Sequence, residues 1–209
     1  MIDKLLDPLE LASLVAGSEN DVSSSSGELL RVFAEDGKSI GLAPRLLCHR
    51  LGLLHKVAFC FFSAPDSRLL LQKRKGGRLD VAVGGHLNRQ DNSAEDAIIR
   101  EIHEEIGILL NPNRLTKIAE YQRHSSDRLS KPREVNNEFR VLFLHEFSKA
   151  EVQNLDRHFS NRKDQKAVLS IQWFTLKEVL SACDSGKTAD GLLASIPYYL
   201  LWLVNRRPT

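Results

Sequence analysis

The hydrophobic patterning predicts an α/β or α+β sandwich, a mixed set of strands with a few helices on both faces. Three observations carry that prediction. Val57, Phe59 and Phe61 alternate with Ala58, Cys60 and Phe62, so one strand is apolar on both sides and belongs inside a sheet. Short strand-like runs are interleaved with helical patterns along most of the chain. Ile98, Ile102 and Ile106 recur every four residues, which gives one helix a face built for burial.

Taken in order, Asp7-Pro8 reads as the first turn of a helix reaching about Gly17, followed by the polar linker S-E-N-D-V-S-S-S-S-G. The expected domain boundaries are therefore 1–27 for helix and linker and 28–209 for the main domain. Glu28 to Ala34 is a strand, Asp36-Gly37 a turn, and Ile40 and Leu42 mark the return. Pro44 opens a short helix that Gly52 ends. After the buried strand Lys56–Ser63, a Pro65-Asp66 turn leads into Arg68–Arg74. A Gly76-Gly77 loop then leads into Leu79–Val83.

The stretch from Val83 to Ile108 reads as strand end, glycine turn at Gly84-Gly85, polar loop and amphipathic helix. Ser93 is the natural N-cap, Asp96 can close a capping box with it, and Gly107 suits a left-handed C-cap. Beyond it, Asn111-Pro112-Asn113 is a loop and Leu115–Tyr121 a strand. The polar, basic segment His124–Val135 is a candidate functional loop. Glu138–Phe147 is a strand, Lys149–Phe159 a helix and Ala167–Phe174 a last strand. Thr175-x-x-Glu178 is a capping box opening a helix to Ala182, and Gly191–Val204 is a terminal helix kinked or started at Pro197. No repeat is evident.

Composition narrows the class. The 209 residues suffice for one well-cored domain with appendages. Apolar content of 42% and charged content of 27% are those of an ordinary soluble protein. A net charge of +2 gives no reason to expect a nucleic acid or a membrane surface as partner. No apolar run approaches a membrane span, and M-I-D-K-L-L-D-P lacks the pattern of a secretory signal. Cys48, Cys60 and Cys183 are odd in number without C-x-x-C spacing, which points to reduced thiols in the cytoplasm, Cys60 as a core residue.

The polar face of the amphipathic helix is where chemistry enters. Glu101, Glu104 and Glu105 lie at i, i+3 and i+4, and like charges so placed each cost a helix roughly 0.2–0.5 kcal/mol. A solvated face tolerates that cost. The alternative is a hard-cation site, because Mg²⁺ takes oxygen ligands and shares them with substrate phosphates.

This stretch resembles the Nudix box: Gly, five residues, Glu, seven residues, then Arg-Glu-apolar-X-Glu-Glu-X-Gly-apolar. Gly85 opens it, and Arg100, Glu101, Ile102, Glu104, Glu105, Gly107 and Ile108 fill its second half without a gap. The early Glu is Asp91 here, with one extra residue before Arg100. The resemblance implies the Nudix fold, a mixed sheet between helices, and a metal site at Glu101, Glu104 and Glu105. It extends from about Glu28 to Ala182 and is similar to the branch of type I isopentenyl-diphosphate isomerase. That branch implies a second site, whose positions match His49, His55, His86 and Asn136-Asn137-Glu138 here. Imidazoles with a carboxylate suit a divalent transition metal; pocket lining is the plain alternative. The first acid of that branch's E-N-E is Asn136, and its cysteine is replaced by Gly84, which removes a partner in allylic proton transfer.

Lys73, Arg74, Lys75 and Arg78 flank the strand leading to the glycine pair. As a charge run they read as a solvated loop; beside a diphosphate, Lys73, Arg74 and Arg78 become clamps, with Gly85 at the head of the box. Arg74 is favoured, since its position matches a basic residue of the resembling family.

The expected function is a Mg²⁺- (or Mn²⁺-) dependent hydrolase of a diphosphate linkage in a nucleotide-like or otherwise substituted substrate. Arg100 orients a glutamate, and Glu138 or a box glutamate such as Glu104 is the base. The alternatives are a non-catalytic diphosphate sensor on the same fold and an isomerase-like protein. A diphosphate panel separates them by reading phosphate release and double-bond migration separately. The partner is a small molecule, and both monomer and homodimer are compatible with the sequence.

Overall fold

The computed structural model describes residues 5–6, 28–74, 76–127, 134–161 and 171–206. The expected N-terminal helix and Ser-rich linker, Lys75, the centre of the 124–135 loop and the start of the 167–174 strand lie outside the described residues. The fold class is the expected one, α/β with a mixed sheet and flanking helices. The chain divides into two compact units, 1–58 with 85–97 and 120–141, and 59–84 with 98–119 and 142–209.

In the first unit β1 (Leu29–Phe33) pairs antiparallel with β2 (Ser39–Pro44), Leu30 opposite Ala43, around a turn with Gly37 at φ 80°. Helix α1 (Arg45–Leu51) follows directly. Pro44 supplies its N-cap position and Gly52 stops it at φ 64°, as the sequence predicts. A Cβ at Gly52 would also lie 2.9 Å from Cγ1 of Val135, so glycine is required on two counts. Leu30, Val32, Ala43, Leu47 and Leu53 form this unit's core. Val32 pairs with His55, the first residue of β3 (His55–Ser63), whose residues from Phe59 onward belong to the second unit.

In the second unit β3 pairs with β4 (Leu69–Lys73), Phe62 opposite Leu70, and β4 pairs with β5 (Leu79–Val81). Most of β3 is buried, as its two apolar faces require. The single strand expected at Leu79–Val83 is in fact two, because β6 (Val83–His86) starts anew, and Gly84 and Gly85 lie inside it rather than in a turn. Helix α2 (Ala94–Glu101) then passes into a π-helical turn over Ile102–Ile106.

Strands β7 (Thr116–Asp127) and β8 (Glu134–Glu146) pair and are longer than expected, so residues 124–127 and 134–135 are strand rather than loop. Their polar alternation concealed the extension. Helix α3 (Lys149–Asn161) precedes β9 (Ile171–Phe174), which pairs with β4. Helix α4 (Leu176–Asp184) has the full Thr175–Glu178 capping box. Helix α5 (Asp190–Asn205) carries Pro197 in its interior. Phe61, Leu71, Leu144, Val179, Ile196 and Tyr199 form the second core.

Candidate functional site

The polar loop ahead of α2 is ordered by its own side chains. The buried Asp91 carboxylate accepts the Asn88 N–H at 3.0 Å, so the residue standing at the box's early acid is a turn former. The Ser93 hydroxyl accepts the Asp96 N–H at 3.0 Å, but the Asp96 carboxylate accepts from Asn92, not Ser93. The expected capping box is half formed, with the second donor one residue upstream. Gly107, at φ 73°, closes the far end by donating to the His103 carbonyl.

Between these ends Ile98, Ile102 and Ile106 are fully buried, which anchors the helix by its apolar face. Arg100 Nη1 donates to Glu101 Oε1 at 2.8 Å and to Glu104 Oε2 at 3.3 Å. Glu104 is the open member, its side chain 54% exposed. Glu105 is half-buried, and burial together with the Glu101 charge pushes its carboxyl up to about 7, against the Gly84 N–H and the Arg74 charge. The glutamates do not follow plain α-helical spacing, because Glu104 and Glu105 sit on the π turn, a form often found at functional sites. Glu105, partly desolvated and beside the Glu101 charge, belongs to a donor set that a hard divalent cation satisfies.

Of the basic residues nearby, Arg74 donates to Asp80 Oδ2 at 2.6 Å, whereas Lys73 and Arg78 are exposed at the end of β4 and in the following turn. The periodicity of L-D-V-A-V assigns no role to Asp80; a charged residue inside an apolar strand is the available signal.

In the first unit, α1 brings His49, β3 brings His55 and β6 brings His86 together, with one ligand atom of each within 4.8 Å of the others. His55 Nδ1–H donates to the Leu53 carbonyl at 2.8 Å, since a carbonyl can only accept. Its Nε2 therefore carries a lone pair. That atom is buried, makes no hydrogen bond, and lies 3.9 Å from Glu138 Oε1. His49 Nδ1 is 2.8 Å from Asn136 Oδ1, an outer partner that orients its ring. Burial lowers the pKa of His55 and pulls that of His86 well down, so both rings are held neutral.

Strand alternation sorts the Asn136-Asn137-Glu138 triplet. Asn136 and Glu138 share the histidine side, while Asn137 bonds the Gly52 carbonyl and Gln122. Glu138 is also fastened by buried Arg140, whose Nε is 2.7 Å from Oε2, a partner the sequence reading missed although an Arg in F-R-V-L-F was a visible signal. Gly85 is buried within β6, one residue before His86.

Residues 53–193 match the NUDIX domain family model. An uncharacterized Nudix hydrolase of Clostridium acetobutylicum is 25% identical over 177 residues, covering 80% of this chain and 81% of that protein. An uncharacterized Nudix hydrolase of Streptomyces coelicolor is 31% identical over 90 residues, 40% of this chain, and this chain spans about half (49%) of its length. Among solved structures, that of DR0079 from Deinococcus radiodurans aligns with 86% of this chain and 100% of its own, at TM-score 0.58 and 19% identity. Among the described residues no helix is long and apolar enough to cross a membrane.

Proposed function

This chain belongs to the NUDIX domain family, and we propose that it is a Mg²⁺- or Mn²⁺-dependent hydrolase of a diphosphate linkage in a nucleotide-like or otherwise substituted substrate. The observation that carries this reading is the π-helical turn on which Glu104 and Glu105 follow the Arg100–Glu101 pair. Glu101, Glu104 and Glu105 would hold the cation. When bound, it supplies charge neutralisation and Lewis acidity at the phosphate oxygens.

The chain's own residues do the rest. Arg100 fixes Glu101 and one oxygen of Glu104, so neither has to be ordered when substrate arrives. Glu104, the more exposed carboxylate, is assigned the base that takes a proton from the attacking water. Glu138 is a poorer base, because its side chain is only 7% exposed against 54% for Glu104. Arg74 is assigned to the phosphate oxygens as a charge clamp, with Lys73 and Arg78 as outer charges.

The test is a Mg²⁺ panel of nucleoside triphosphates, sugar nucleotides, dinucleotides and isoprenoid diphosphates, read for phosphate release and for double-bond migration. Hydrolysis of one class that Glu104→Gln abolishes supports the assignment; full activity in Glu104→Gln ends it. Gly84 leaves no thiol for allylic proton transfer, so no double-bond migration is expected.

We assign the histidine cluster to a second divalent transition metal, held by His49, His55, His86 and Glu138. Two acceptors, His55 Nε2 and Glu138 Oε1, face each other at 3.9 Å, an arrangement a cation between them satisfies. Elemental analysis after dialysis should find the metal in wild type and lose it in His86→Ala. Near-zero content in both leaves these histidines as pocket lining. The domain from residue 28 to 209 and a cytoplasmic location, the latter on the free thiols, complete the proposal.

A further inference from the structure

Asp80 is a charged residue in the middle of an apolar strand and is only 3% exposed. Its Oδ1 accepts the N–H of Val81 at 2.9 Å and of Leu192 at 3.1 Å, the latter in the first turn of α5. Its Oδ2 meets the Arg74 guanidinium at 2.6 Å. Three donors hold the carboxylate. Leu79 is strapped on both sides, its N–H to the Lys187 carbonyl and its own carbonyl to the Ala189 N–H. A Cβ at Gly191 would come within 2.8 Å of Oδ1, so the start of α5 fits over Asp80 only as glycine.

The two backbone donors need an acceptor, not a charge. An Asn would serve both, and burying the carboxylate is costly, which is why burial raises its pKa in spite of Arg74. The α5 dipole favours an anion modestly, but it acts on the oxygen that faces Leu192. Among the described residues the other oxygen serves Arg74. Arg74 is 55% exposed, and an exposed arginine has about 2 kcal/mol of rotamer entropy to lose when it grips a phosphate. A locked carboxylate beneath it removes that freedom in advance. Arg74 also lies within electrostatic reach of Glu105 on the carboxylate helix.

We propose that Asp80 is a positioning residue that holds the Arg74 guanidinium in the pose that contacts a diphosphate. The inference rests on the reading of Arg74 as the phosphate clamp. A double-mutant cycle on the full chain tests it, with calorimetric binding of inorganic diphosphate in Mg²⁺ as readout and the thermal midpoint of each variant measured beside it. Asp80→Asn should weaken binding about tenfold, the worth of one charge-assisted hydrogen bond, and should have no further effect in an Arg74→Ala background. Arg74→Lys, a surface change that keeps the cation but loses the fork held by Asp80, should weaken binding similarly and remains informative if Asp80→Asn does not fold.

Equal weakening by Asp80→Asn in both backgrounds overturns the proposal, because it marks a general structural effect. Wild-type affinity in Asp80→Asn or Arg74→Lys overturns it too, as does absence of diphosphate binding by wild type. Diphosphate binding without turnover of any panel substrate would refute the hydrolase reading alone. Turnover with unchanged Asp80→Asn affinity would refute this inference alone.

Discussion

At the scale of single residues, the half-buried Glu105 ties the stability of the acidic helix to its proposed use. Its charge is disfavoured by burial and by Glu101, yet a diphosphate-bound cation needs that charge. Glu105→Gln is therefore expected to lower turnover at least about a hundredfold, while leaving stability unchanged or a few tenths of a kcal/mol higher. Turnover and urea unfolding of the metal-free protein, measured on one preparation, check both halves. A variant that loses stability and activity together would make Glu105 a packing residue.

At the scale of elements, the ends of α2 and α3 show how short-range chemistry places a helix. Helix α3 starts at a pair the sequence reading did not pick out. Ser148 Oγ accepts the Glu151 N–H at 3.3 Å, the Glu151 carboxylate accepts the Ser148 N–H at 2.8 Å, and Arg114 clasps the same carboxylate. The Arg114 hydrogen bond is the largest of the effects that pull the Glu151 pKa down to about 2 from 4.5. A depressed carboxylate pKa contributes stability that is present above the unfolded value and lost as pH falls through the folded one. The thermal midpoint should therefore decline between about pH 4.5 and 2, and Glu151→Gln should flatten that decline. The side chain is a third exposed, so screening holds the effect to about 1 kcal/mol or less. Parallel pH curves for the two proteins would remove Glu151 from the account.

At the scale of the molecule, ligand binding must appear as stability, because a cation that binds the folded chain shifts the folding equilibrium by mass action. Saturating Mg²⁺ at about a hundred times its Kd should add about 2.7 kcal/mol to wild type and much less to Glu105→Gln. Thermal melts across a Mg²⁺ titration check this without any substrate. Equal stabilisation of both proteins would move the cation away from the carboxylate helix. The two units each own a core, around Leu30 and Leu47 in one and Phe61 and Tyr199 in the other, so substitutions in either core act through that unit's own packing.

Determined by the sequence alone were the features whose physics is local. The isoleucine stripe from Ile98 to Ile106, the stops at Gly52 and Gly107, the Thr175–Glu178 box and the doubly buried β3 follow from helical and strand periods and from neighbours a few residues apart. The family resemblance rests on the same local run, Arg100 to Ile108, and so was legible before any coordinates. Tertiary structure decided what depends on distant pairing. His49 meets Asn136 across 87 positions and Asp80 meets Leu192 across 112, and no periodicity reports which strands and helices will be neighbours. The same holds for the change from α to π after Glu101 and for the two strands between Leu79 and His86. There, the local pattern of residues does not distinguish the form observed from the plain helix or single strand.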